Sequence, residues 1–164
     1  MLVALWAVGV AFGNPWEGRV ADVSSTRGIP APADAVYAQL VDFEALQQVF
    51  PADCATEWAV GPEHAGVGAR AVVTYRMASL KRRLTATLSK AEPDRVVDLD
   101  HEGKKGFVTR FELAPAANGT RVTLTTFLNQ PPWPFRGVFF NRVRPAWIDC
   151  WDRALIALEE RSAP

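Results

Sequence analysis

The sequence predicts an α+β fold: a curved antiparallel sheet of about seven strands wrapped around one long C-terminal helix, with two short helices between strands 1 and 2. Three observations carry that expectation. Consecutive segments from Ala69 to Gln130 alternate apolar and polar residues with a period of two. Their connections are only a few residues long, which suits antiparallel neighbours. The chain then closes on its one long stretch of helical periodicity, and strands with a single apolar face need such a cover.

Residues 20–29 read as the first strand, ended by Pro30 and Pro32. A helix start follows, with Pro32 preset for the first turn and Asp34 near the positive helix end. Val36, Tyr37, Leu40 and Val41 give this helix an apolar side. Asp42 is placed to cap a second short helix over 43–50, which Pro51 stops. Residues 56–60 form a second strand, and 61–68 a polar, glycine-bearing connection. In that connection Gly66-Val67-Gly68 is a turn, because a phosphate cradle would open a helix after a strand.

Five alternating strands come next. One face carries Ala71, Val73, Tyr75 and Met77 in 69–77, and Leu84, Ala86 and Leu88 in 80–91. Val97, Leu99 and His101 continue it in 95–102, then Phe107, Thr109, Phe111 and Leu113 in 106–113. Val122, Leu124, Thr126 and Leu128 complete it in 120–130. Such alternation marks a sheet with one solvated face. Asn118-Gly119 between two of these strands is a strong hairpin signal, and it accounts for the Asn118-Gly119-Thr120 sequon. Lys81, Arg82 and Arg83 read together as an exposed basic strand end.

In the closing helix Val143, Trp147, Trp151, Leu155 and Leu158 fall at spacings of three and four, and Cys150 and Ala154 widen the stripe. Asp149 and Arg153 form an i,i+4 pair on the other side. Pro145 predicts either a kink or a main helix that starts there after a short turn through 135–141. Trp133, Phe135, Phe139 and Phe140 precede it, as a cover for one end of the sheet or as an apolar gate able to touch a membrane transiently.

At 164 residues, with 49% hydrophobic and 22% charged residues, the chain fits one globular domain over 19–164 behind an apolar N-terminal segment at 1–18. Eighteen basic and eighteen acidic side chains balance, which argues against a nucleic-acid partner. Residues 2–12 carry no charge and have the length of a secretory core, short of the roughly 20 needed to span a bilayer. Ala11 and Gly13 stand where a signal peptidase reads. Export to a periplasmic or extracellular location is therefore expected. The alternative is a cytoplasmic protein whose segment is an apolar arm or short anchor. Cys54 and Cys150 are the only cysteines. They are expected as buried free thiols, and as a disulfide in the alternative that export would allow.

The order strand, two short helices, six strands, long helix resembles the START-like (SRPBCC) superfamily, which includes plant pollen allergens, polyketide cyclases and coenzyme Q-binding proteins. The resemblance covers nearly the whole chain after Ala21. Its markers are Pro30-Ala31-Pro32-Ala33-Asp34-Ala35-Val36-Tyr37 with Leu40 and Asp42-Phe43, then Gly66-Val67-Gly68-Ala69-Arg70, Asn118-Gly119-Thr120-Arg121-Val122-Thr123 and the amphipathic end. The resemblance implies a helix-grip fold with an internal cavity and no shared catalytic motif.

His101 is the sharpest single residue. On the apolar face its imidazole could bond a ligand carbonyl or exchange a proton; the alternative is a partly solvated histidine at the rim. His64 is expected to be exposed in its loop, and two isolated histidines do not make a metal site. Tyr75, Thr109 and Thr126 would orient a ligand from the inner face. Leu84, Leu88, Leu99, Phe107, Phe111, Leu124, Trp147 and Trp151 would be its apolar walls. The expected function is binding or transport of a hydrophobic or amphipathic small molecule such as a lipid, isoprenoid or polyketide, without cofactor or metal. One alternative is a cyclase or dehydratase-type enzyme using His101 or Tyr75. Another is a protein-interaction module whose cavity is filled by its own aromatic side chains.

Overall fold

The computed structural model describes residues 19–102, 106–129 and 139–163. Seven strands form one antiparallel sheet in the order β1-β7-β6-β5-β4-β3-β2. They are β1 (Arg19–Ile29), β2 (Ala55–Val60), β3 (Arg70–Met77), β4 (Leu80–Glu92), β5 (Val96–Glu102), β6 (Phe107–Ala116) and β7 (Gly119–Asn129). Helices α1 (Ala33–Leu40) and α2 (Phe43–Val49) connect the two edge strands, and α3 (Arg144–Ser162) closes the chain. This is the helix-grip fold. The segment 1–18, with its expected signal sequence, lies outside the described residues, as do Trp133, Phe135 and the side chains of Phe139 and Phe140.

Local chemistry sets the boundaries. Asp42 caps α2 as expected, its carboxylate accepting the Glu44 amide at 2.8 Å. Pro32 is the N-cap of α1 and not part of its first turn, because its ψ of 154° is still extended. Of the two outcomes open at Pro145, the helix start holds. Pro145 lies in the first turn of α3, and a π-helical turn over Phe139–Val143 leads directly into it. The β6–β7 hairpin has a two-residue loop, Ala117-Asn118, with Ala116 paired to Gly119. Gly119 has φ +132°, and a Cβ there would stand 2.2 Å from the Ile29 carbonyl oxygen. No other residue fits that approach. Thr120 beside it is buried and donates to the Ala31 carbonyl at 2.8 Å, tying the hairpin to the end of β1.

Register places the apolar residues on one concave face. Reading across the strands, one row runs Ala71, Ala86, His101, Phe107, Leu128, and the next runs Leu88, Leu99, Thr109, Thr126, Val23. A third row contains Ala91, Val97, Phe111, Leu124 and Ser25. Helix α3 lies over this face. The Ser25 hydroxyl hydrogen-bonds Asp152, and Arg27 pairs with Glu159. Trp147, Cys150, Trp151, Ala154, Leu155 and Leu158 are the buried stripe of α3.

Two expectations are corrected. Cys54 and Cys150 are not free thiols; they are joined in a disulfide that closes a separation of 96 residues. A loop of that size is worth about 4–5 kcal/mol in the chain-entropy picture. Beside it Arg153 binds the Asp53 carboxylate at 2.8 Å as well as the expected Asp149, so charge and covalent bond fix the middle of α3 to the start of β2 together. The second correction concerns the convex face, which is not uniformly solvated. Asp98 is buried there, held by Arg110 at 2.8 and 2.9 Å directly across the β5–β6 pair. The bidentate fork satisfies the carboxylate that burial would otherwise leave unpaired.

Candidate functional site

The site is built where β3, β5, β6 and the start of α3 converge. Tyr75 points inward from β3 and His101 from β5, with β4 running between them. The Tyr75 hydroxyl lies 2.7 Å from His101 Nε2. Their strands are separated by about 10 Å, so the pair forms only because one side chain reaches across β4. Directly opposite His101, β4 presents Ala86, whose single methyl leaves the necessary room. Both residues are buried, at 2% and 1% exposure, so the solvated-rim reading of His101 does not hold. Burial pushes the Tyr75 phenol well above its ordinary pKa. The phenol therefore keeps its proton, and the tautomer of His101 decides which of the two groups donates.

Around this pair the aromatic side chains form a continuous series. His101 stacks on Phe107 with centroids 4.0 Å apart, and Phe107 meets Trp147 edge-on at 4.9 Å. Trp147 contacts Trp151 at 6.0 Å, and Trp151 contacts Phe50 at 5.2 Å. The Trp151 indole donates to the Thr126 hydroxyl at 2.6 Å. At this end helix and sheet thus meet through Trp151 on Thr126 and through Trp147 on Phe107. Any guest shares the space with these rings.

Not every polar group here is satisfied. Thr109, fully buried between Leu99 and Thr126, has a hydroxyl with no hydrogen-bond partner among the described residues, and the same holds for the Trp147 indole nitrogen. The predicted wall residues Leu88, Leu99, Phe111 and Leu124 are buried on the same concave face, and Leu84 is half-buried. All twelve predicted positions therefore fall on the concave face or the facing stripe of α3. Tyr75, His101 and Phe107 are in mutual contact, Trp147 joins them through Phe107, and Trp151 with Thr126 follows through Trp147. Among the described residues no three His, Cys, Asp or Glu side chains gather as a metal site would require.

Two residues differ from their sequence reading. Arg82 is not part of an exposed basic end. It pairs directly with Tyr75 across β3–β4, which puts it on the concave face and half-buried, while Lys81 and Arg83 lie on the convex one. Counting alternation back from Leu84 would have found it. His64 is likewise not simply exposed. Its Nδ1 lies 2.9 Å from Asp42, and its carbonyl accepts the Phe43 amide at 2.9 Å, so the loop over 61–68 folds onto the start of α2. The hydrogen bond to Asp42 raises the His64 pKa. Burial alone would raise the Asp42 carboxyl, but the hydrogen bonds from His64 and the Glu44 amide outweigh it and hold it low.

An open hollow of about 290 Å³ lies at the other end of the sheet, lined by Gly28, Ile29, Pro30, Ala116, Asn118 and Glu159. None of the predicted ligand residues borders it, so it is a separate feature of the hairpin end.

Comparison with known proteins agrees with the geometry. The solution structure of KanY protein (ms6282) superposes with a TM-score of 0.73 at 22% identity, over 88% of this chain and 98% of that one. TTHA0849 from Thermus thermophilus gives 0.70 at 23% identity, over 85% and 95%. Ginseng major latex-like protein 151 from Panax ginseng gives 0.63 at 11% identity, over 87% and 97%. At these identities the likeness is one of fold. No curated protein matches the chain in sequence. The model of one family matches residues 20–158, nearly the whole of the described fold. The chain belongs to that family, described as polyketide cyclase / dehydrase and lipid transport.

Proposed function

We propose that the protein binds a hydrophobic or amphipathic small molecule between the sheet and α3, at the end that carries Tyr75, His101, Thr109 and Trp147. One observation carries this reading: in an otherwise apolar interior the Thr109 hydroxyl and the Trp147 indole N–H are buried without a partner among the described residues. Each such group costs about 1–3 kcal/mol when left unsatisfied, so a core selected for stability alone would replace it. A ligand with a carbonyl or hydroxyl supplies the missing partner, while Leu99, Phe107 and Trp147 bury its apolar part. The family's description, which joins polyketide chemistry to lipid transport, supports the same class of guest.

The test is binding of the uncharged fluorophore N-phenyl-1-naphthylamine, with native mass spectrometry of the purified protein to detect retained hydrophobic molecules. Saturable fluorescence enhancement that Thr109→Val or Trp147→Phe weakens is the expected result. No saturable binding, together with no retained molecule, sinks the proposal.

The Tyr75–His101 contact favours a second reading, proton transfer to or from a bound carbonyl. A phenol that keeps its proton beside an imidazole is an acid–base couple already aligned. Under that reading His101→Ala retains fluorophore binding but abolishes turnover of a polyketide-type substrate; unchanged turnover removes it.

A further inference from the structure

The concave face contains an unexplained cation. Of the described strand residues only Arg27 and Arg82 put a positive charge on that side, and Arg27 is paired with Glu159. Arg82 has no such partner. No carboxylate of the described residues lies within ion-pair distance of its guanidinium, although Lys81 next to it pairs with Glu57 on the convex side. The register fixes where this charge sits. Arg82 stands opposite Tyr75, near the start of β4, beside the polar and aromatic end of the site and two rows from His101. It is half-buried, so its charge is at the boundary between water and the apolar interior.

We propose that Arg82 binds the anionic end of an amphipathic ligand whose apolar body lies along Phe107 and Trp147, and that this end group is a carboxylate. The inference rests on the binding reading above and deepens it by naming the ligand class. A guanidinium presents two parallel N–H groups that match the two oxygens of a carboxylate, one charge against one. A phosphate monoester carries nearly two negative charges at neutral pH and calls for a second cation, which the described concave face does not supply at this end. An uncharged ligand leaves the fork unused. The arrangement is thus that of an amphiphile with its head at the half-buried end of β4 and its body directed inward, with the Tyr75 hydroxyl beneath the head.

The test compares cis-parinaric acid with its methyl ester, which share one chain and differ in charge, by fluorescence titration of the full chain. The acid is expected to bind roughly tenfold more tightly than the ester, a charge-assisted hydrogen bond's worth of selectivity. Arg82→Gln should bring the acid to the affinity of the ester and leave the ester unchanged. Arg82→Lys should retain part of the preference, since charge survives without the fork. Arg83→Gln, which removes the same charge from the opposite face, should change neither ligand and controls for long-range attraction. Equal binding of acid and ester to the unaltered protein, or a preference that survives Arg82→Gln, overturns the proposal while the binding reading stands. If neither ligand nor N-phenyl-1-naphthylamine binds, both readings fall. Circular dichroism of each variant, together with its binding of the ester, separates loss of the fold from loss of the head-group contact.

Discussion

Toward Ile29 and Leu158 the concave face is apolar and strapped to α3 by Ser25–Asp152 and Arg27–Glu159, whereas toward Met77 and Trp147 it places a tyrosine, a histidine and a threonine under an indole. The first end has Leu124, Leu155 and Leu158 at 0 or 1% exposure, and the second has Tyr75, His101 and Phe107 at 1 or 2%. One sheet and one helix thus make an apolar core, with the open hollow at its hairpin rim, at one end and a polar-studded core at the other. The comparison teaches that burial alone does not mark a site. Both ends are buried, but only one sets a hydrogen-bonded tyrosine–histidine pair beside an unpartnered threonine and indole.

Experiments can break this contrast, beginning with the largest effect. Replacing both cysteines, Cys54→Ser with Cys150→Ser, should lower stability by about 4 kcal/mol in urea denaturation, since the bond closes a long loop. A loss under about 1 kcal/mol would mean that Arg153–Asp53 and the packing of α3 suffice without it. Leu124→Ala in the apolar end should cost about 3 kcal/mol, as expected for a cavity at a fully buried position. Thr109→Val at the other end should do the opposite: stability unchanged or raised by up to about 1 kcal/mol, with weaker fluorophore binding. A marked loss of stability there would erase the distinction between the two ends.

The smallest effect concerns pH. The raised pKa of His64 contributes stability that is present below its ordinary value of 6.5 and is lost as pH rises through the folded value. The lowered pKa of Asp42 contributes above its ordinary 3.8 and is lost as pH falls. The clip between the loop and α2 should therefore hold best between these values. Midpoints of thermal unfolding measured from about pH 5 to 8 should decline slightly, and His64→Asn should flatten the trend; an equal slope in that variant assigns the trend elsewhere.

Period-two alternation made the sheet and its inward residues legible, because exchanging core and solvent faces would need every strand to slip by one residue. The closing stripe from Val143 to Leu158 was legible for the same kind of reason at the helical period. What the sequence could not disclose depends on contacts between distant elements. Pairing of Cys54 with Cys150 requires α3 to cross the start of β2, which no local pattern states. His64 acquires its role only when its loop folds back on the Asp42 cap. Asp98 is buried because register sets Arg110 opposite it. Arg82 is different: its inward position followed from the alternation, but two charged neighbours made it read as part of a run.

The bond at Cys150 has a mechanical consequence, since it falls between Trp147 and Trp151. A rod fixed near its middle cannot slide lengthwise to admit a guest; it can only pivot there. With the far half strapped to β1, the lever that remains is the short arm from Arg144 to Trp147, which the wider π turn joins to the rest of the chain.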